Sequence, residues 1–451
     1  MQPSKTRAVE RDLSPEQAMA GAGRPDGPGA GKRAAHIAVF LDHLRGGGMQ
    51  KMRLIIARGL AERGHRVDLV LCDARGSLRD QVPETVNLVE LHPTGALRAG
   101  ALALAADPGS SGPFLMSMLL SREVSPTLQF FPDFVRYLKR AKPDAILSAN
   151  PDKNIETSLA RRRAGVAARL VVSEHNTLLQ GHPLGRGWRG RLLSWSLRRV
   201  YRHVDAIIGV SDGVAEDISK RTGLPRERIN TVYNPTVTPE LLQKAREPLN
   251  HPWFGPDCPP VILGVGRLGE AKDFPNLVRA FARVREKRPA RLMILGEAKK
   301  ADKTTKRQRE LKALAGELGV DADVQLPGFV QNPYAYMARA AVFAMSSVHE
   351  GLPNVLIEAL ACGCPVVSTD CPSGPAEILD RGRYGPLVPL RDHVALADAI
   401  LRTLESPPDT ELLRERGAMF SVERAVDNYE SLLLGRSAPD AAGARPSASG
   451  A

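Results

Sequence analysis

The chain has 451 residues, 43% of them hydrophobic and 25% charged, with a formal net charge of +12. That length exceeds one ordinary core and predicts two domains, and the composition is that of a globular protein rather than a fibrous one. No run of about eighteen apolar residues occurs, which excludes a membrane-spanning helix, while the basic balance favours an anionic partner: nucleic acid, anionic lipid or a phosphorylated substrate.

The five cysteines, Cys72, Cys258, Cys362, Cys364 and Cys371, are odd in number and unevenly placed. They point to a reducing compartment rather than a disulfide framework. Cys362 and Cys364 lack the spacing of a zinc pair, and no second pair follows, so no metal is expected there.

Residues 1–33 are rich in Pro, Gly, Ala and charge, without an apolar signal segment, and read as a disordered tail; 437–451 read the same way. The first ordered unit is a strand at His36–Leu41, a Gly46-Gly47-Gly48 loop, a helix from about Gln50 to Arg63, and a strand at Val67–Cys72. Met52, Ile55, Ile56 and Leu60 supply the helix with an apolar stripe. Glycines at a helix N-terminus allow a backbone to approach a ligand, although taken alone they read equally as a flexible turn. From Leu91 to Pro132 the pattern blurs into irregular helices, read as an insertion. Order returns with a helix through Val135–Lys139, a strand at Ala145–Leu147, a helix through Ile155–Arg163 and a strand at Leu170–Ser173. That last strand delivers Glu174, His175 and Asn176 to its C-terminal end, where open α/β sheets place their ligands. A lone histidine serves as readily to satisfy a loop backbone.

Residues 185–203 carry six arginines among Trp188, Trp195, Leu192, Leu193 and Tyr201, with no acid between His175 and Val204. Such a segment suits the headgroup region of an anionic membrane, or equally a packed helix with arginines facing solvent. No recognised nucleic-acid-binding motif accompanies the charge, so no nucleic acid partner is expected. A strand at Ala206–Val210, a helix at Gly213–Arg221 and a strand at Ile229–Tyr233 complete the first domain, assigned to 34–240. A proline-rich, irregular stretch from Asn234 to Pro260 follows, with 241–260 taken as the linker.

The second domain, 261–420, opens with a strand at Val261–Leu263 and the run Gly264-Val265-Gly266-Arg267-Leu268-Gly269. Taken literally this is the dinucleotide fingerprint, with Glu297 standing later than a ribose-binding acid should. An NAD-dependent oxidoreductase is therefore the alternative reading. Against it, Arg267 lies inside the glycine turn, Lys272 follows five residues later, and the helix waits until about Pro275. Two cations at one place suit a departing diphosphate. A helix at Leu311–Leu318, a strand at Val324–Leu326 and the turn Gly328-Phe329-Val330 come next. Asp321-Ala322-Asp323 falls in a short loop and reads as a turn rather than a metal site.

The stretch Ser346–Pro375 is the most informative. Glu350 lies in a loop, Pro353 suits the first turn of a helix, Glu358 sits inside that helix, and Gly363 and Pro365 end it before a strand at Val366-Val367. The backbone N–H groups of Leu352, Asn354 and Val355 face one space, welcoming to an anion or sugar oxygens. A helix through Val394–Leu404 and a last helix at Val422–Leu433, within 421–436, close the chain.

Glu350 and Glu358 with seven residues between them, then Ala359, Gly363, Pro365-Val366-Val367, Gly374 and Glu377, resemble the donor-site signature of retaining glycosyltransferases of family 4. Gly266-Arg267-Leu268 with Lys272-Asp273-Phe274 resembles the same family's diphosphate element. The resemblance implies an α/β protein of GT-B fold, with two Rossmann-like domains facing across a cleft: the first for the acceptor, the second for the donor. It implies a hexosyltransferase in cell-surface polysaccharide or lipopolysaccharide synthesis, using a nucleotide sugar, UDP-linked, without metal or other cofactor. Arg267 and Lys272 would grip the pyrophosphate, Glu358 the ribose and Glu350 the transferred sugar. Gly351, Leu352 and Asn354 belong to the same donor-binding loop. Val330 would border the base, Gly47 and Gly48 would approach the diphosphate, and His175 would stand near the reacting centre. The final helix is expected to cross back and brace the first domain. Cys371-Pro372-Ser373-Gly374-Pro375 looks like the subgroup that extends glycans on lipopolysaccharide or polyprenol diphosphate, which places the protein in the cytoplasm, peripheral to the inner membrane face.

Overall fold

The computed structural model describes residues 34–45, 47–119, 127–178, 187–298 and 301–437. Residues from Ala35 onward form one compact unit. Apart from Ser437, the expected tails lie outside the described residues, as do Gly46 and Gly185.

The first half alternates strands and helices in the manner of a doubly wound sheet. Its strands are β1 (His36–His43), β2 (Arg66–Asp73), β3 (Val86–Glu90), β4 (Ala145–Ala149), β5 (Arg169–Glu174), β6 (Ala206–Gly209) and β7 (Ile229–Thr231). Its helices are α1 (Gly48–Glu62), α2 (Ala96–Ala106), α3 (Pro108–Leu119), α4 (Phe131–Ala141), α5 (Pro151–Ala164), α6 (Gly187–Tyr201) and α7 (Asp212–Thr222). A further helix, α8 (Pro239–Arg246), leads into the second half.

The second half contains the strands β8 (Val261–Val265), β9 (Arg291–Leu295), β10 (Val324–Gly328), β11 (Val342–Met345), β12 (Val366–Thr369) and β13 (Leu387–Val388). Between and after them run α9 (Phe274–Lys287), α10 (Ala301–Glu317), α11 (Pro333–Met337), α12 (Asn354–Ala361), α13 (Pro375–Ile378), α14 (His393–Glu405), α15 (Thr410–Ala418) and α16 (Val422–Leu433).

Both sheets are parallel. The first has the order β3-β2-β1-β4-β5-β6-β7 and the second β10-β9-β8-β11-β12-β13. Each therefore reverses direction once, between β1 and β4 and between β8 and β11, and a crevice opens at each switch point beyond the strand C-termini. Central strands such as β1, β4 and β12 are buried on both faces, which is why Ile37–Leu41, Ala145–Leu147 and Val366-Val367 read as apolar runs without alternation.

The last helix crosses from the second half to the first. Ala425, Val426, Tyr429, Leu432 and Leu433 of α16 join the core formed by β1, β2 and α1. Arg63 donates to the Glu430 carboxylate at 2.6 Å, and Arg169 Nε donates to the Leu432 carbonyl at 2.7 Å.

Three expectations need correction. The stretch 241–260 is not an irregular linker throughout. Thr238 caps α8 by accepting from the Leu241 N–H, Pro239 occupies the first turn, and Trp253 is buried under the Arg291 guanidinium. Proline here starts a helix instead of preventing one. Residues 96–119, expected as irregular helices, form two defined ones, with Pro113 inside α3. The buried arc of α1 contains Arg53 and Leu54, while Ile55 is half-buried, because both the sheet and α16 cover this helix.

Candidate functional site

Most of the residues singled out by sequence lie in the loops that leave the two switch points, whereas His175 and Val330 follow the flanking strands β5 and β10. Gly47 and Gly48 follow β1 and open α1 without any side-chain cap. Arg267 and Lys272 lie in the loop after β8, and Glu350 lies in the loop after β11. His175 follows β5 on the first sheet.

Lys272 Nζ donates to Glu350 Oε1 at 2.6 Å, with both side chains mostly shielded at 18% and 15% exposure. The lysine is held there by packing: its aliphatic stem fills the space beside Gly266, where an added Cβ would stand 2.9 Å from the lysine Cε. The Ser346 hydroxyl also donates to the Lys272 carbonyl at 2.8 Å, tying the loop after β8 to the one after β11. Arg267 is exposed, and among the described residues its side chain makes no hydrogen bond or ion pair. One cation is thus parked on a carboxylate and the other stands in solvent, an arrangement ready to receive an anion.

Glu358 sits on α12, about one turn in, and burial raises its carboxyl above the usual range, with Lys51 and Lys272 pulling the other way. Gly351, Leu352 and Pro353 are buried, and Asn354 and Val330 are half-buried. Val330 follows β10 beside the fully presented Phe329, which is 71% exposed. Glu297 does not stand free to hold a ribose. Its carbonyl accepts from the Leu268 N–H at 3.0 Å and its carboxylate from the Phe329 N–H at 3.4 Å, so it pins two loops together. Asp321-Ala322-Asp323 is one 3-10 turn, with Asp323 paired to Arg285 at 2.8 Å.

The two halves meet at this cleft. A Cβ on Gly351 would collide with the His175 carbonyl, so only glycine lets the Glu350 loop approach the end of β5. Ser211 Oγ donates to the Gly351 carbonyl at 2.8 Å. Asn234 Nδ2 donates to Asn354 Oδ1 at 2.9 Å, and Gly48 lies 3.9 Å (from a built Cβ) from the Asn354 amide nitrogen. Glu377 reaches across to the N-terminus of α7, accepting from the N–H groups of Asp212 and Gly213 at 2.7 and 2.8 Å.

Sequence reasoning missed Lys51. Its Nζ donates to the Tyr334 hydroxyl at 3.3 Å, and its charge reaches Glu358. Its position just after the glycine loop was the available signal. Arg53, also missed, is 1% exposed and lies behind His175. Arg53 carried no such signal, because an arginine two turns into an amphipathic pattern reads as surface. His175 itself is held well below its ordinary pKa by burial and then by the Arg53 charge.

A cavity of about 510 Å³ lies elsewhere, against the β7 edge, lined by Asp212, Arg226, Tyr233, Arg416 and Phe420 among others. It contains none of the expected donor-site residues.

Residues 47–235 match the family described as glycosyl transferase 4-like domain, and residues 259–406 match glycosyl transferases group 1. The chain belongs to this glycosyltransferase family, which sets aside the oxidoreductase alternative. One relative is the N-acetylgalactosamine-N,N'-diacetylbacillosaminyl-diphospho-undecaprenol 4-alpha-N-acetylgalactosaminyltransferase of Campylobacter jejuni. It is 34% identical over 248 residues, which are 55% of this chain and 64% of that protein. Another is the lipopolysaccharide core biosynthesis glycosyltransferase LpsE of Rhizobium meliloti, 33% identical over 52% of this chain and 66% of its own length. The chain thus spans just under two thirds of each of these two relatives. Among solved structures, Anabaena HepE in complex with UDP has a TM-score of 0.66 at 18% identity, covering 88% of this chain and 99% of that one. The lipopolysaccharide outer core galactosyltransferase WaaB has a TM-score of 0.64 at 18% identity, with the same coverage. These neighbours carry the GT-B fold, with its two parallel Rossmann-like sheets.

Proposed function

We propose that this protein transfers a hexose or N-acetylhexosamine, with retention, from a UDP-sugar to a glycan or polyprenol-diphosphate-linked acceptor. The observation that carries the reading is the Lys272–Glu350 pair at the switch point of the second sheet, with Arg267 exposed beside it. A diphosphate entering the crevice takes Lys272 from Glu350 and gains Arg267, so both cations meet the charge that grows as the sugar leaves. Released from the lysine, the Glu350 carboxylate is free to accept hydrogen bonds from the sugar hydroxyls. Glu358 holds the ribose, and Val330 borders the base. Gly47 and Gly48 close on the diphosphate from the first sheet, and His175 stands beside the sugar. The C1–O bond to the diphosphate breaks, the acceptor oxygen bonds to C1, and its proton leaves with UDP. Two neighbouring cations carry the leaving-group charge, so the proposed reaction needs no metal.

The acceptor reading draws support from the printed activity of the Campylobacter jejuni relative, and from α6. On that helix Leu193, Leu197 and Tyr201 are buried, whereas Trp188 and Trp195 are 47% and 43% exposed and Arg191, Arg198 and Arg199 are exposed. No helix among the described residues is long and apolar enough to cross a membrane. We assign α6 to peripheral contact with anionic lipid at the inner face of the membrane, from the cytoplasm.

The test is turnover of a panel of UDP-sugars in the presence of lipid-linked glycans, with the anomeric configuration of the product read by NMR. An α-linked product from an α-linked donor is expected, and inversion would overturn the retaining assignment. Sedimentation with anionic liposomes at low salt tests the membrane part; protein that stays in the supernatant rejects it.

A further inference from the structure

Arg53 stands on α1 with its guanidinium fully enclosed, and among the described residues it has no carboxylate ion-pair partner. Burying a cation in this way is costly, and a leucine or methionine would fill the same space without the penalty. What the guanidinium touches accounts for its presence. One terminal nitrogen, Nη2, contacts the Ser173 hydroxyl, lies 3.4 Å from the Ser148 carbonyl, and lies 3.3 Å from Nε2 of His175. The Ser173 hydroxyl is itself 3.2 Å from the same imidazole nitrogen. The centre of the Tyr429 ring of α16 lies 5.4 Å from the guanidinium carbon.

A guanidinium nitrogen can only donate. A ring nitrogen facing it must present a lone pair, which leaves the imidazole proton on Nδ1. We infer that Arg53 is a positioning residue: by donating to His175 Nε2 from beneath, it fixes the ring as the neutral Nδ1–H tautomer and fixes its plane. This deepens the proposed function and rests on it for one point only, that the ring addresses the sugar. Given that point, His175 serves the site as a neutral hydrogen-bond donor through Nδ1, and not as an acid or base through Nε2. The nearest charged groups agree. Arg53 approaches from α1. Glu174, next in the chain, is buried against Asn154 of α5 and Tyr201 of α6, and burial raises its carboxyl to about 8, so it offers His175 little negative charge. Glu350, across the cleft, is engaged by Lys272. The arrangement also gives α16 a role beyond bracing, since Tyr429 backs the arginine that backs the histidine.

The experiment is a two-bond proton–nitrogen NMR correlation on the full chain with ring-labelled histidine. The chain contains ten histidines, so His175 is identified by its loss in His175→Gln. The wild-type ring is expected to be the neutral Nδ1–H form at pH 6. In Arg53→Met it should shift toward the Nε2–H form, which predominates in free imidazole side chains, and Arg53→Lys, which keeps a donor, should retain Nδ1–H. In turnover, Arg53→Met should lower kcat about tenfold while UDP affinity stays within about twofold, the pattern of a group acting only near the reacting centre. An Nε2–H ring or an imidazolium in the wild type would overturn the inference, and so would an unchanged tautomer in Arg53→Met. The tautomer is read without substrate, so a chain that turns over no UDP-sugar would fail the proposed function and leave this result standing on its own.

Discussion

At the scale of single residues, the Lys272–Glu350 pair makes the sharpest prediction. Lys272→Ala removes the charge-assisted contact proposed with the diphosphate and leaves Glu350 without its counter-ion. The loss expected is about 2 kcal/mol or more, so the UDP dissociation constant should rise roughly 30-fold or more. Glu358 adds a pH dependence. Burial holds its carboxyl above the ordinary range. The proposed ribose contact needs the carboxylate, so UDP affinity should fall as pH drops through that raised value. Glu358→Gln should bind weakly and lose that slope; a wild type whose affinity is flat from pH 5 to 8 would contradict the ribose assignment. The paired glutamates and the two cations were legible in the sequence because their spacing around a helix and a glycine turn has few structural explanations. Arg53 was not, because nothing local to α1 reveals that α16 would close over it, and for Lys51 the only signal was its place just after the glycine loop.

At the scale of elements, the contact of Glu377 with α7 joins the two halves. Its carboxylate caps the helix N-terminus, and Arg416 donates to the carbonyls of Glu377 and Ile378 behind it. Burial raises this carboxyl from 4.5 to about 7 against the pull of the two N–H donors. A folded-state pKa above the unfolded value means that the native state binds the extra proton between pH 4.5 and 7. The stabilising contribution is therefore complete below pH 4.5 and is lost as pH rises through about 7. The difference in Tm between wild type and Glu377→Gln should shift against the wild type over that window and stay constant above it. A constant difference from pH 4.5 to 8 would contradict the assignment. Element type was readable wherever an apolar run and its caps agreed, as for β1, α12 and α16. It failed for α8, because prolines that mark a linker by count also mark helix starts by position. For α2 and α3 the helical type was read but not the bounds, because Ala-Leu runs without polar punctuation show no period.

At the scale of the whole molecule, α16 holds the first sheet from the second half of the chain, and Gly59 is where it comes closest to α1. A Cβ there would stand 2.5 Å from Val426 Cγ2, and valine has no rotamer freedom to retreat. Gly59→Ala gains about 1 kcal/mol of helix propensity and loses about 1–3 kcal/mol to overpacking, so the net is a loss of stability. Val426→Ala alone opens a void, but in the double variant the two changes should compensate, with a coupling of about 1 kcal/mol or more by denaturant unfolding. Simple additivity would mean that the helices are not in register as described. The two-sheet architecture was legible from the repeated strand–glycine–helix pattern, whereas the contacts that lock the sheets together, Gly351 on His175 and Asn354 on Asn234, depend on distant residues meeting and leave no local pattern.

The measurement that bears most directly on the whole account is calorimetric titration of UDP, GDP, ADP and NAD into wild type and Lys272→Ala. The account predicts that UDP binds wild type in preference to the others and that its affinity collapses in the variant. Preference for NAD, or UDP binding indifferent to Lys272, would contradict the assignment of the β8–β11 crevice as a sugar-nucleotide site.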